Sequence, residues 1–483
     1  NTCDGGCVDE RQERNDDTLA CFGYFCFAPG GECDDDGEYD WDGCAAGLLA
    51  ENLINVESAL DQRDPSIAVL ANGDYVVVWE TQSYQGSGWE IAGRIFGAGA
   101  AYGAGLEQIG NDHSDGHQVN PAVAALTGGG FVVVWQGPDP DSAVFESRIF
   151  ARVFHEDGQP DGESWIVSDE DEESQHDPAV AGLAGGGFVV SWQHNVHPVT
   201  DGDDGWNVFI EAKAYSADGN SGPAVLMTDT EEGHTELPAV AALPEGRSMV
   251  VWAGEYDQSG LLGPHVAYLD ATGQLEGAAI PFQATDNPGQ YERVDVAVFP
   301  VGTGPTTEST QAEAFVVMER DNSDFGEDIY AQMLSATGET VWSQYKVNQL
   351  DSNDPDPIGQ QLPSVALLPD GTAAVAYDTY SYAFDNGGEG IDIYMQVLAF
   401  APFSPQPAPL GDTDPRVNRY VSGAQSRPDV GALHDGSFVV VWDSCPEDGY
   451  PGFAQDESGC GVFAQRFQPD GARLLPWQEF SGR

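Results

Sequence analysis

Residues Pro121–Trp135 read PAVAALTGGGFVVVW, and variants of this stretch return along most of the chain. Five variants are close to it, and a divergent one joins VDVAVF at Val294–Phe299 to AFVVME ending at Glu319. The copies end near residues 79, 135, 192, 252, 319, 377 and 442, so they recur every 56 to 67 residues. A period of this length indicates a repeat architecture.

Each copy predicts a β-hairpin. In the copy quoted above, small apolar residues precede a glycine turn, and Phe131–Trp135 is β-branched and aromatic, which is typical of a strand covered on both faces. Two further strands follow, at Ile149–Phe154 and Glu163–Val167. The sequence therefore predicts an all-β fold, a seven-bladed β-propeller of four-stranded antiparallel blades over residues 47–483.

Predicted outer strands outnumber the predicted blades by one. ENLINV at residues 51–56 and LLPWQEF at residues 474–480 both fit the outer position of the blade that joins the termini. The strand left over is a loop, a fifth strand on its own molecule, or a strand added to the sheet edge of another molecule. The candidate assembly residues are Leu53, Ile54, Val56, Leu474, Leu475, Trp477 and Phe480.

The first 46 residues differ in composition from the repeats. They hold six of the eight cysteines and few large apolar residues, so we expect a disulfide-rich arm whose pairing the sequence does not fix. The last two cysteines are expected to bridge the long loop of the final repeat. The pattern indicates a secreted protein, and Asn1 fits a mature N-terminus after processing. The cysteines are Cys3, Cys7, Cys21, Cys26, Cys33, Cys44, Cys445 and Cys460.

One loop of this arm is a candidate calcium site. CDDDGEYDWDGC at Cys33–Cys44 spaces Asp34, Asp36, Asp40 and Asp42 so that their carboxylates can surround a hard cation. The loop resembles the calcium loops of thrombospondin type 3 repeats, which implies bound calcium. The opening NTCDGGCVDE resembles cysteine-rich metal-binding segments of secreted bacterial proteins, although a structural disulfide is the preferred interpretation there.

Acidic loops before the third strands supply further candidate calcium ligands. A glycine and a carboxylate recur there, as in GEDI at Gly326–Ile329 and GIDI at Gly390–Ile393. The alternative is that the loops of an acidic protein are acidic without binding metal. The candidates are Asp201, Asp203, Asp321, Asp324, Asp328, Asp385, Glu389 and Asp392.

The charge balance restricts the partners. The chain has 80 acidic and 17 basic side chains and a formal charge of −63. Self-repulsion on this scale requires bound cations or high salt to offset it. Nucleic acids and anionic membrane surfaces are disfavoured as partners because both need a basic patch, and the sequence has no apolar run long enough to insert into a membrane.

Recognisable catalytic motifs are missing from the sequence. His117, His176 and His234 share one repeat register, and we find no G-x-S-x-G, P-loop or H-E-x-x-H pattern. Paired carboxylates for glycoside hydrolysis cannot be picked out from 80 acids without geometry. The sequence therefore favours a protein that is not an enzyme.

The repeat also carries a family resemblance. Over Asp64–Phe480 the pattern P-x-V-A-x-L-x-x-G-x-F-V-V-V-W, followed by I-x-A-Q-R-F and a D-G turn, resembles propeller-like repeats of large secreted bacterial proteins. The resemblance implies extracellular adhesion or scaffolding and supplies no catalytic residue.

Three functions remain open at this point. The leading hypothesis is a calcium-stabilised, non-enzymatic extracellular structural protein that joins copies of itself head to tail, as a filament or surface layer, through the arm or the surplus strand. The second is an adhesin or lectin that binds glycans through Trp89, Trp206, Tyr380 and Tyr382. The third is a polysaccharide-degrading enzyme.

Overall fold

The fold is almost entirely β-strand. A computed structural model describes residues 51–55, 60–82, 88–97, 105–106, 116–139, 146–168, 173–196, 207–228, 235–255, 262–282, 290–301, 304, 313–321, 326–349, 358–381, 391–401, 406–411, 414–420, 423–446 and 459–474. The cysteine-rich segment 1–46 lies outside these residues. Within them no helix is long and apolar enough to span a membrane.

The strands form four-stranded antiparallel sheets, each built from consecutive strands. After the short strand β1 (Asn52–Leu53), five such sheets follow in chain order. They are β2 (Gln62–Val69), β3 (Tyr75–Gln82), β4 (Trp89–Phe96) and β5 (Gly105–Leu106); β6 (Val119–Ala125), β7 (Phe131–Pro138), β8 (Ser147–Phe154) and β9 (Trp165–Ile166); β10 (Ser174–Gly182), β11 (Phe188–Val196), β12 (Asn207–Tyr215) and β13 (Val225–Leu226); β14 (Thr235–Ala242), β15 (Ser248–Glu255), β16 (Leu262–Leu269) and β17 (Ile280–Pro281); and β18 (Gln290–Phe299), β19 (Glu313–Asp321), β20 (Glu327–Ser335) and β21 (Thr340–Lys346).

The remaining strands belong to one eight-stranded sheet, which consists of two further four-stranded sets. A single parallel bridge, Ile391 to Ala424, joins the two sets. They are β22 (Ile358–Leu367), β23 (Ala373–Ser381), β24 (Ile391–Ala399) and β25 (Ala408–Pro409); and β26 (Ala424–Ala432), β27 (Phe438–Cys445), β28 (Gly461–Phe467) and β1. In the fourth sheet, a short 3-10 turn at Pro244–Gly246 joins β14 to β15.

Strand β1 supplies the outer strand of the last set. Asn52 pairs with Ala464 and Leu53 with Phe463 of β28, and Ile54 is only 1% exposed between the first and last sets. Leu53 and Ile54, two of the candidate assembly residues, therefore complete a sheet of their own molecule. Leu474 donates its N–H to the carbonyl of Arg466, beyond the turn that follows β28, and Val56, Leu475, Trp477 and Phe480 lie outside the described residues.

The first strands form a closed cycle. Each contacts the first strand of the next set along the chain, and β26 returns to contact β2. The hydrophobic core lies between neighbouring sheets, where the second strands are buried on both faces and carry the fully buried Trp135, Trp192, Trp252 and Trp442. The arrangement is propeller-like, with the first strands innermost.

A disulfide joins Cys445 at the end of β27 to Cys460, just before β28. It closes the loop between the second and third strands of the last set. The other six cysteines lie outside the described residues.

The tight hairpin between β6 and β7 depends on glycine at one position. Gly130 has φ +82°, and a Cβ there would overlap the carbonyl oxygen of Phe154 on β8. Gly128, two residues earlier, has no atom within 4 Å of the corresponding Cβ position. We expect Gly130→Ala to lower the free energy of unfolding by at least about 2 kcal/mol. Gly128→Ala should change it by less than about 0.5 kcal/mol.

Denaturant unfolding of the two variants beside the parent protein provides the measurement. Equal stability of the two variants would contradict the described turn geometry.

Candidate central site

An irregularity near the start of each first strand shapes the centre of the molecule. The strand pairing shifts there in β2, β6, β10, β14, β18, β22 and β26. Six residues at these bulges have positive φ although none is glycine. Arg293 precedes Val294 at the corresponding place in β18, where the bulge begins one residue earlier. We call these the mouth residues: Asp64, Asn120, Asp177, Leu237, Arg293, Leu362 and Arg427.

The mouth residues surround a polar cavity of about 640 Å³. All of them except Leu362 line it, together with Arg63 and Glu80 and with polar groups such as Gln193, Asn195 and Thr235. The cavity therefore lies among the innermost strands of the cycle.

A second set of residues ties neighbouring sheets together at this level. Each of these residues directly follows a large buried residue of a second strand, such as Trp79 before Glu80. Its carboxylate accepts the backbone N–H of the mouth residue in the neighbouring sheet. Glu80 accepts from Asn120 at 2.8 Å, Glu319 from Leu362 at 3.1 Å, and Asp443 from Asp64 at 3.1 Å. Because a bulge removes an N–H from the strand ladder, these carboxylates replace its lost partner. We call them latch residues.

The backbone at the mouth positions does not require a particular side chain. Aspartate, asparagine, leucine and arginine all adopt the same left-handed conformation there, and glycine would relieve the strain. The side chains at these positions are therefore free to serve the cavity. Asp64 and Asp177 differ in this respect from the latch carboxylates, which accept the backbone N–H groups that the bulges free.

Burial changes the acidity of these carboxyls. Burial, followed by the charge of Glu80, raises the pKa of Asp64 to about 7, although its side chain is still 31% exposed. Burial also raises the pKa of Asp177, against the opposing charge of Arg293. The two groups interact, since the charge of Asp177 contributes to the raised pKa of Asp64. Asn120 links the pair to the latch, because its side chain donates to Asp177 at 2.5 Å and its N–H to Glu80.

Asp378 follows the buried Tyr377 and so occupies a latch position, but its Oδ1 differs from the other latch carboxylates in its hydrogen bonding. It is 3% exposed, and its Oδ1 is buried without a hydrogen-bond partner in the described part of the chain. Burial, followed by the charges of Glu319 and Asp443, raises its pKa to about 8. Glu319 is similar, with a pKa raised to about 7 mainly by burial. At neutral pH Asp378 is therefore mostly protonated and Glu319 about half protonated.

Three arginines reach the same cavity. Arg63 pairs with Glu80 at 2.8 Å and lies over the ring of Trp89 at 4.0 Å. Arg427 is 43% exposed and pairs with Asp443 at 3.1 Å and Asp64 at 3.5 Å. Arg293 is exposed.

A deeper layer of links lies two residues further along the first strands. Asp295 accepts the N–H of Val365, Asp429 accepts that of Ile67, and Ser364 donates to Asp429, each at 2.8 Å. Burial, partly offset by the Val365 N–H, raises the pKa of Asp295 to about 7. These contacts run from β18 through β22 and β26 to β2, so they help to close the cycle.

The acidic loops lie elsewhere, and those that the structure describes are engaged in polar contacts. Asp328 contacts Lys346 at 2.7 Å and Asn348 at 2.8 Å, Asp392 contacts Asn418 at 2.6 Å, and Asp321 ends β19. Among the described residues no group of three or more His, Cys, Asp or Glu side chains is arranged to hold a metal ion. The other predicted ligands, Asp34, Asp36, Asp40, Asp42, Asp201, Asp203, Asp324, Asp385 and Glu389, lie outside those residues, and calcium binding stays a prediction.

The candidate sugar platforms and the histidines are scattered. Trp89 lies under Arg63, and the Tyr380 hydroxyl donates to Glu327 at 2.5 Å. His176 contacts Gln136 at 3.0 Å, and burial lowers its pKa. Trp206, Tyr382 and His234 lie outside the described residues.

Sequence reasoning missed the mouth residues, although a local signal exists. In six of the repeats the mouth residue directly precedes the proline that opens the copy, as in Asp64-Pro65, Asp177-Pro178 and Arg427-Pro428. Comparing that one column between repeats would have collected two aspartates and an arginine.

Among known proteins, this chain is similar only to solved structures, at low sequence identity. No protein-family model and no curated protein matches the chain. Similar solved structures include a protein of unknown function from Dyadobacter fermentans, at 11% identity and a TM-score of 0.45, covering 86% of this chain and 98% of that one. The Penicillium chrysogenum alpha-L-arabinanase complexed with arabinobiose has 11% identity and a TM-score of 0.46, with the same coverage. An ulvan lyase of a new polysaccharide lyase family has 8% identity and a TM-score of 0.48, covering 89% and 97%.

These findings correct the leading hypothesis from the sequence. The expectation of a non-enzymatic structural protein is wrong on this comparison, since the similar structures include an arabinanase, a glycoside hydrolase and a polysaccharide lyase. Assembly of the protein with itself stays a prediction.

The buried carboxyls predict an unusual dependence of stability on pH. The pKa values of Asp378, Glu319 and Asp295 are raised in the folded state, so the folded protein binds extra protons above the unfolded pKa of about 4. Their contribution to stability is complete below that pH and is lost as the pH rises through about 7 to 8. We expect the free energy of unfolding to fall from about pH 5 to about pH 8, measured in high salt to screen self-repulsion.

Asp378→Asn isolates one of these groups. Its stability relative to the parent should rise by on the order of 2 kcal/mol between about pH 5 and about pH 8, because the amide cannot ionise. Asp435→Asn, at a surface carboxylate that is 57% exposed, is the control and should show no such trend. Parallel pH dependence of Asp378→Asn and the parent would contradict the assignment.

Proposed function

We propose that this protein is an enzyme that cleaves glycosidic bonds in a polysaccharide, with the central cavity as its active site. The observation that carries the proposal is the pair Asp64 and Asp177. Both occupy positions where the backbone does not select the side chain, both line an open cavity, and they interact electrostatically. Glycoside cleavage commonly uses two carboxyl groups on either side of the scissile bond.

The two carboxyls are suited to different steps. A proton donor works best when its pKa lies near the working pH, and the pKa of Asp64 is about 7. Asp64 would donate its proton to the leaving glycosidic oxygen as the bond to the anomeric carbon breaks. Asp177, held by Asn120 and near the charge of Arg293, would act as the carboxylate that activates the attacking water. Addition of water across the bond then balances the reaction.

The scaffold that we propose is a seven-bladed propeller. Five four-stranded sheets and two four-stranded sets of the larger sheet give seven blades, and the cycle of contacts from β26 back to β2 supports closure. The disulfide between Cys445 and Cys460 supports a secreted protein, since such bonds persist in oxidising compartments. A disulfide-rich arm at residues 1–46 and its calcium site belong to the same proposal, supported by sequence alone.

Substitution of each cavity carboxyl tests the proposed active site. We expect Asp64→Asn and Asp177→Asn each to lower kcat by about 100-fold or more, because each removes proton transfer or water activation. Asp470→Asn, in a surface turn outside the cavity, is the control and should leave turnover unchanged. The assay screens a panel of neutral and acidic polysaccharides for new reducing ends and for the ultraviolet absorbance of unsaturated uronates.

Two results would contradict the proposal. One is the lack of turnover of every polysaccharide in the panel by the parent protein. The other is full activity of the Asp64→Asn variant on a polysaccharide that the parent cleaves.

The pH dependence of turnover tests the role given to Asp64. Because the proton donor must be protonated, kcat/KM should fall as the pH rises through about 7, the pKa of Asp64. A pH profile on the best polysaccharide of the panel provides the measurement. An activity that keeps rising beyond about pH 9 would exclude Asp64 as the donor.

A further inference from the structure

The cavity gathers basic side chains in a very acidic protein. The whole chain has 17 lysines and arginines against 80 acidic residues, yet Arg63, Arg293 and Arg427 all line this one cavity. Arginine is well suited to bind an anion, because its planar guanidinium can bind carboxylate or sulfate oxygens through two parallel hydrogen bonds.

The three arginines are not equally occupied. Arg63 is held between Glu80 and the ring of Trp89, so it serves the latch. Arg427 is shared between Asp443 and Asp64 and remains 43% exposed. Arg293 is exposed, and within the described part of the chain no hydrogen bond or ion pair occupies its guanidinium. It is therefore the arginine most available to a ligand.

The fold does not explain why Arg293 is an arginine. Leu237 and Leu362 occupy the equivalent positions in other sheets, so the bulge accepts an apolar side chain. Four carboxyls interact with the charge of Arg293, namely Asp177, Glu292, Glu319 and Asp378. Burial raises the pKa of each of them, to about 7 for Glu319 and about 8 for Asp378, so these acids do not fully cancel the charge at neutral pH. A positive group thus remains at the edge of the cavity.

We infer that the cavity selects a carbohydrate chain carrying an anionic group, a uronate carboxylate or a sulfate ester, and that Arg293 binds this group with Arg427 beside it. The inference rests on the proposed function for the cavity as the substrate site, and it names the substrate class. A polyanion is repelled by the rest of this surface, so its capture depends on this local pair of arginines.

Binding of three tetrasaccharides tests the inference without requiring turnover. The probes are tetragalacturonate, sulfated maltotetraose and maltotetraose. Each is titrated by calorimetry into the Asp64→Asn protein. We expect at least one charged probe to bind about 10-fold or more tightly than maltotetraose. The probe that binds more tightly distinguishes a uronate from a sulfate ester as the recognised group.

Substitutions at Arg293 locate the contact. Arg293→Gln should weaken binding of the charged probe by about 10-fold and leave binding of maltotetraose unaffected. Arg293→Lys keeps the positive charge but loses the two parallel hydrogen bonds of the guanidinium, so it should weaken binding of the charged probe less. Arg152→Gln, on β8 and not among the cavity-lining residues, is the matched control for the loss of one positive charge and should bind as the parent does.

The outcomes separate this inference from the proposed function. Equal binding of the three probes, no binding of either charged probe, or unchanged binding in Arg293→Gln would overturn the anionic-substrate inference, even if neutral chains were cleaved. Arg293-dependent binding of a charged probe would support it, even if no polysaccharide of the panel were cleaved.

Discussion

The hydrogen bond from a bulged backbone N–H to a buried carboxylate on the neighbouring sheet supports the centre of this molecule. Each bulge removes an N–H from its ladder, and leaving that group unpaired inside the protein costs about 1 to 3 kcal/mol. Glu80, Glu319 and Asp443 supply the missing acceptor across the boundary between sheets. The contact from Asp443 to Asp64 also closes the cycle, because it joins the last sheet to the first.

The same bulge creates the candidate active site. It gives one residue in six of the seven first strands a left-handed conformation, whatever that residue is, and five of these six residues line the cavity. The fold thus places side chains around one cavity without depending on their chemistry. The latch residues Glu80, Glu319 and Asp443 accept backbone N–H groups, and Glu80 also lines the cavity, whereas Asp64 and Asp177 line it from the bulges themselves.

The electrostatics of the cavity differ from those of the molecule as a whole. The net charge of −63 gives a repulsive field for anions, whereas at the centre burial raises the pKa of Asp64 to about 7 and that of Asp378 to about 8, beside exposed arginines. Local charge at the cavity is therefore far less negative than composition suggests. A reaction that transfers protons near neutral pH benefits from the same burial, because it raises the pKa of Asp64 into the working range.

The sequence by itself determined the β-strands, their hairpins and their repetition, because alternating strand and glycine-turn signals are local and recur at one period, as at Pro121–Trp135. It also offered two strands for one outer position, and only the tertiary structure decided that Asn52–Leu53 pairs with β28. The mouth carboxyls lie 113 residues apart in the sequence, at positions 64 and 177, and the latch of Asp64 comes from the last sheet. The sequence marks the mouth positions, as the residue before the proline that opens six of the copies, but it does not show that they meet. Only closure of the cycle brings these residues together, and only burial sets their acidity.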